Sequence, residues 1–172
     1  MMRDAEALVA LFRAAFPAID FEIAWDSDTV NARALYGQPR KRVRLYGGLV
    51  RHRMVEKEGL ALTLAHEVGH LLGGRPRDLY HHWLSCEGVA DYWAARYGLR
   101  RIWPEADFAV RLRLGARQLI NLQYREFNKP PAYRRRRGDD GRFPCLVTLP
   151  PSCRLQTWMA GMRKLPKPDC AC

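Results

Sequence analysis

Read from the N-terminus, apolar residues first recur at helical spacing in "MMRDAEALVALFRAAFPA", where Ala7, Leu8, Leu11, Phe12 and Ala15 fall on one face. Asp4, Glu6 and Arg13 interrupt the run, so the stretch predicts an amphipathic helix and not the apolar core of a leader peptide. Pro17 ends that period, and the pattern turns to alternation. "IDFEIAW", "NARALY" and "RVRLYGGLV" (residues 42–50) read as strands of a small, twisted, antiparallel or mixed sheet, with Gly47 and Gly48 marking a bulge or a close backbone approach. From about Lys57 the helical period returns. Leu60, Leu64, Val68, Leu71 and Leu72 share one side, Gly73 and Gly74 stop the helix, and Pro76 lies just beyond. A second helix is predicted from near His82 through "LSCEGVADYWAARYG" to Gly98. A long third one covers "PEADFAVRLRLGARQLINLQYREF", with Pro104 in its first turn. "NKPPAYRRRRGDDGRFP" reads as an irregular connection, "SCRLQTWMAGM" as a last short helix and "KLPKPDCAC" as an extended tail.

The 172 residues predict one domain, and 48% hydrophobic content is enough to give it a core. No apolar run approaches the ~18 residues that cross a bilayer. Charge adds a different kind of information. Lys and Arg number 29 against 18 Asp and Glu, a net charge of +11, which favours anionic surroundings such as acidic envelope or wall polymers. "YRRRRGDDG", from Tyr133 to Gly141, is the densest basic stretch and reads as a solvated loop. Neither a recognition-helix signature nor zinc-finger spacing accompanies it, so the charge does not point to nucleic acid. Cys86 stands alone, whereas Cys145, Cys153, Cys170 and Cys172 crowd the end of the chain without a CxxC pair. That arrangement suggests disulfide staples and an exported protein, periplasmic or extracellular.

The candidate chemistry sits in "HEVGH". Residues four apart in a helix lie on one face about 6 Å along the axis, so His66 and His70 can share one metal ion. Glu67, turned about 100° away, can instead act on water that the metal activates. A catalytic zinc takes three protein ligands and keeps a position open. Gly73 fits the longer HExxHxxGxxH pattern, but position 76 is Pro76, which has no ligand atom. Glu87, seventeen positions after His70 and on the next helix, is the better third ligand. Asp91, one turn further, suits a carboxylate that accepts a hydrogen bond from the far nitrogen of a ligand histidine. Cys86 faces about 100° away from Glu87 and reads as a core thiol or a disulfide anchor.

"HEVGH" followed by "EGVAD" resembles the gluzincins, which carry HExxH on one helix and a glutamate on another. "RLYGGL", "HEVGHLLGG", "CEGVADYW" and "CRLQT" more closely resemble small bacterial secreted metallopeptidases. The resemblance implies a zincin-like α+β fold with a small twisted sheet, an active-site helix and a glutamate helix, and a cysteine-bearing C-terminal extension. The chain is expected to divide into residues 1–128, the metallopeptidase domain, and 129–172, an irregular, proline- and cysteine-rich extension packed on the same domain. The resemblance implies one catalytic zinc on His66, His70 and Glu87, Glu67 as general base then acid, Asp91 supporting a ligand histidine, and a peptide or protein substrate. It also implies that "VRLYGGL" is an open edge strand onto which substrate backbone adds.

A peptidase of this kind needs a donor for the oxyanion beside the metal. No histidine follows Glu87, which leaves Tyr124, Tyr97, Arg113 and Arg117 downstream, or Tyr46, His81 and His82 before it. His81 and His82 read as rim residues. Two other functions fit the same residues: a cytosolic regulatory metallopeptidase, and a zincin-like module that binds an anionic partner without turnover.

Overall fold

Alternation of apolar and charged positions builds the sheet. In Ile19–Ala24 (β1), Ala32–Gly37 (β2) and Arg40–Tyr46 (β3), the residues Ile19, Phe21, Ala32, Ala34, Val43 and Leu45 are buried. Asp20, Glu22, Arg33, Arg42 and Arg44 occupy the alternate positions. The chain is described by a computed structural model covering residues 2–37, 40–78, 81–126, 135–137, 144–146 and 149–171.

Strand order is β1-β3-β2, with β1 parallel and β2 antiparallel to β3, so the sheet is mixed. Phe21, Val43 and Ala34 form one cross-strand row. β3 is therefore central, which corrects the expectation that "VRLYGGL" offers an open edge. Both its flanks are paired, and among the described residues the edge strand beside the candidate site is β2. The two glycines after β3 do not bulge it but open a single helical turn, Gly47–Val50 (α2). Their smallness serves close approach. A Cβ on Gly47 would lie 2.3 Å from the Trp25 carbonyl oxygen, and one on Gly48 2.2 Å from that of Asp28.

Besides α2, the α-helices among the described residues are Met2–Ala15 (α1), Lys57–Leu72 (α3), Glu87–Trp93 (α4), Glu105–Glu126 (α5) and Pro151–Met162 (α6). α1 buries Ala5, Leu8, Val9 and Phe12, whereas Leu11 is 52% exposed, so its core face is rotated from the one expected. α3 is the central element. It packs against the sheet, α5 and α4, and thirteen of its residues from Glu58 to Leu71 are buried, as suits a helix apolar nearly all round. Leu72 is exposed and does not join that face.

α4 starts at Glu87 and not near His82. Tertiary hydrogen bonds hold the preceding backbone out of a helix: Ser85 N–H to the His70 carbonyl at 2.7 Å, Cys86 N–H to that of Pro76 at 3.0 Å, and Asp78 N–H to that of Leu84 at 2.9 Å. After α4 the chain continues through a π turn, Ala94–Gly98, and a 3-10 turn, Leu99–Arg101.

The C-terminal extension is less irregular than expected. Arg135–Arg137 (β4) pairs antiparallel with Pro144–Leu146 (β5). α6 packs on α4, the π turn and α5, burying Thr157 and Trp158, because its apolar residues meet the outer side of the glutamate helix. Cys153 and Cys170 form a disulfide, and Cys86 is disulfide-bonded as well. The rest of the basic run from Tyr133 to Gly141, the Cys145 side chain and Cys172 lie outside the described residues. No helix among the described residues is long and apolar enough to cross a membrane.

Candidate metal centre

The spacing in α3 brings the His66 and His70 rings to 4.5 Å between centroids, nearly perpendicular to each other. His66, Glu67 and His70 form a buried group able to hold a metal ion, with ligand atoms within 4.8 Å of one another. α4 adds a fourth residue. Glu87 Oε2 lies 3.3 Å from His66 Nε2, and its Oε1 lies 3.4 Å from His70 Nε2. This approach depends on Gly69, between the two histidines, because a Cβ there would sit 2.6 Å from the Ala90 carbonyl oxygen of α4.

Each imidazole is tied down through its other nitrogen, by different means. His70 Nδ1–H donates to the Ser85 carbonyl at 2.7 Å. A carbonyl only accepts, so Nδ1 carries the hydrogen and, in the neutral ring, Nε2 keeps its lone pair for a metal. His66 Nδ1 lies 2.8 Å from Asp91 Oδ1, and Asp91 is wholly buried. Arg154 binds the same carboxylate through two nitrogens, Nε to Oδ2 and Nη2 to Oδ1, both at 2.8 Å. Trp158 Nε1–H donates to Oδ1 at 2.9 Å. Four donors thus converge on one carboxylate whose only task within the site is to hold one ring.

Burial and charge set the protonation of the group. Burial opposes the charged form of His66, but Asp91 and Glu87 outweigh it and raise the imidazole to about 10. Burial likewise opposes the charged form of His70, which Glu87 raises in spite of the His66 charge. Burial would raise Glu87, yet His70 and His66 carry it well below the usual carboxylate range. Asp91 is lowered against its burial, chiefly by Arg154 and His66. Glu67 alone among the carboxylates is raised, by burial. Its Oε2 accepts a hydrogen bond from the Ala34 N–H of β2 at 2.6 Å. In the metal-free protein, the proton on His66 therefore occupies the lone pair a metal would need, and a metal would have to displace it.

The group opens into a cleft of about 710 Å³. Residues of β2 from Ala32 to Leu35 line one wall. Leu119, Leu122 and Gln123 of α5 also line the cleft, as do Asp78, His81 and Trp83. Trp83 stacks on Tyr36, which is 52% exposed, and His81 meets Trp83 edge-on.

The expected oxyanion donors do not reach this cleft. Tyr97 and Tyr124 are 52% and 63% exposed, and Arg113 and Arg117 lie on the solvent side of α5, whose buried face carries Leu112 and Ala116. Tyr46 and His82 are not part of its wall either, while His81 stands at its rim. Arg154 does line the cleft, and sequence reasoning missed it and Trp158. The available signal was their spacing of four on a predicted helix directly after Cys153, but nothing local to that helix points to Asp91.

Compared with protein-family models, curated proteins and solved structures, the chain matches none.

Proposed function

We propose that the protein is a zinc-dependent peptidase with a zincin-like arrangement, in which His66, His70 and Glu87 bind the metal and Glu67 is the general base and acid. The observation that carries this reading is the placement of Glu87 against both imidazoles. Its carboxylate spans the two rings, Oε2 lying 3.3 Å from His66 Nε2 and Oε1 3.4 Å from His70 Nε2, so all three side chains offer donor atoms to the same small space. Two imidazole nitrogens and one carboxylate make a donor set that would suit zinc, at a place that opens to the cleft.

Two carboxylates compete for the third place, and their partners separate them. Glu67 is held by the Ala34 N–H, outside the pair of Nε2 contacts, whereas Glu87 makes both. A zinc ion bound there supplies a water acidified to near neutrality and a Lewis acid for a carbonyl. Glu67 uses Oε1 to take a proton from the attacking water while Oε2 stays on β2, and it then passes that proton to the departing amine. Burial raises its pKa, as suits a carboxyl that must both accept and return a proton. Asp91 and the Ser85 carbonyl hold the two rings in the tautomer that binds metal.

Substrate enters as an extended peptide along β2, the edge strand on the cleft wall, and pairs with backbone groups of that edge other than the Ala34 N–H, which Glu67 holds. Disulfides at Cys153–Cys170 and at Cys86 support an exported protein. The test is hydrolysis of a mixed peptide library by zinc-loaded protein and by Glu67→Gln. Cleavage that disappears in the variant, with zinc content unchanged, supports the assignment. Cleavage that persists removes Glu67 from the mechanism, and a metal-loaded wild type that cleaves nothing favours a binding module.

A further inference from the structure

Helix α6 contributes no ligand, yet it directs two side chains at the carboxylate that supports His66. Arg154 and Trp158 are four apart, so both lie on the helix face turned to α4. The guanidinium carbon lies 4.9 Å from the Trp158 ring centroid, which holds the two side chains against each other. Both end on Asp91: Arg154 at 2.8 Å on each carboxylate oxygen, and Trp158 at 2.9 Å on Oδ1. Trp158 is fully buried, and Cys153, next to Arg154, ties the start of the helix to Cys170.

We propose that Arg154 is a positioning residue of the metal centre, acting with Trp158 through Asp91 to fix the His66 ring, so that α6 is a working part of the site and not a cover over it. The inference rests on the zinc reading given above. Its physical basis is the geometry of the carboxylate. With His66 as its only partner, a buried Asp91 could rotate or take up a proton, and either change frees the imidazole to turn. The planar guanidinium fork fixes the carboxylate plane, and the indole N–H fixes Oδ1 along a third direction. His66 Nδ1 then has one place to donate, which aims Nε2 toward Glu87 and the cleft. Loss of such a partner behind a ligand histidine typically weakens metal binding about 10- to 100-fold.

The test is zinc affinity by chelator competition on the full chain with its disulfides formed, for wild type, Arg154→Gln, Arg154→Lys, Trp158→Phe and Thr157→Ala. Thr157 is a buried neighbour whose hydroxyl donates to the Cys153 carbonyl and does not touch Asp91, so it reports the effect of loosening α6 alone. Melting of each metal-free variant accompanies the affinities, and the visible spectrum of the cobalt-substituted protein reports the ligand geometry.

Positioning predicts an affinity loss of about 10- to 100-fold in both Arg154 variants, a few-fold loss in Trp158→Phe, and altered cobalt bands in all three. Thr157→Ala should melt earlier yet bind zinc like the wild type. A purely electrostatic role predicts the opposite ranking: Lys like the wild type, and Gln tighter because a positive charge has left the neighbourhood of the cation. A merely structural role predicts losses that track melting temperature, Thr157→Ala included, with unchanged cobalt bands. Either of those patterns overturns the proposal. Should Arg154→Gln fail to fold, Trp158→Phe and Arg154→Lys still separate the three. A wild type that binds no zinc overturns the underlying reading instead, which keeps the two failures distinct.

Discussion

The two histidines of α3 occupy equivalent places in the same motif but are held in opposite ways. His70 is fixed by a backbone carbonyl, that of Ser85, which no side-chain substitution removes. His66 is fixed by Asp91, and Asp91 by Arg154 and Trp158, a chain of side chains that runs through α4 into α6. One half of the site is thus secured by the main-chain path between α3 and α4. The other depends on charged groups brought from far along the sequence. The contrast teaches where the site is vulnerable: substitutions should damage the His66 half through its supports and leave the His70 half largely intact.

The sharpest break in that comparison is Asp91→Ala. It removes the His66 partner and leaves the Arg154 guanidinium, 19% exposed, without its carboxylate, and breaking a pair so largely buried costs about 3–5 kcal/mol. Chemical denaturation should show that loss, with zinc affinity down by about 100-fold, the upper end for removing the partner of a ligand histidine. Next comes Gly69→Ala, which affects both halves at once. The added methyl meets the Ala90 carbonyl at 2.6 Å and pushes α4 from α3, costing about 1–3 kcal/mol and moving Glu87 away from both rings. Zinc content after dialysis should fall even where the protein remains folded.

Acidity separates metal-free from metal-loaded protein. The His66 pKa is raised from 6.5 to about 10 in the fold, so its contribution to metal-free stability is complete below about 6.5 and is lost as pH rises toward 10. The lowered Glu87 and Asp91 contribute above the usual carboxylate range and lose that contribution on acidification. Zinc has to displace the His66 proton, so its affinity moves the other way and strengthens over the same rise in pH. Thermal melts of metal-free protein from pH 6.5 to 9 should decline while chelator competition in the same buffers shows tighter zinc. Parallel trends would contradict the protonation assigned to His66.

The smallest effect belongs to Ser85→Ala. Its hydroxyl donates to the Gly74 carbonyl at 2.8 Å, so its loss should cost about 1 kcal/mol. The Ser85 carbonyl stays in place for His70, and zinc affinity should remain within about twofold of the wild type. A large loss would mean that the His70 half depends on side chains after all.

The division between what could and could not be read in advance follows the same line. HExxH is a statement about one helix, and local periodicity places His66, Glu67 and His70 on α3 without knowledge of anything else. Glu87 and Asp91 were legible for the same reason, as one turn of a second helix. Sheet order was not, since β3 lies at the centre only because β1 pairs with its other flank, which no local pattern encodes. The segment before α4 looked helical because its own residues allow a helix, and three tertiary hydrogen bonds decide otherwise. The tyrosines and arginines of the π turn and α5 were candidates by residue type, and the packing of Leu112 and Ala116 turned that face of α5 inward, leaving Arg113 and Arg117 in solvent. Arg154 escaped notice because its partner is 63 positions away.

The central claim is that His66, His70 and Glu87 share one zinc. It is tested most directly by counting zinc per chain, by elemental analysis after dialysis against a weak chelator, in the wild type and in Glu87→Ala. The account predicts about one zinc per chain in the wild type and nearly none in the variant. Full retention of zinc by Glu87→Ala, or its absence from a wild type already reloaded with metal, would contradict it.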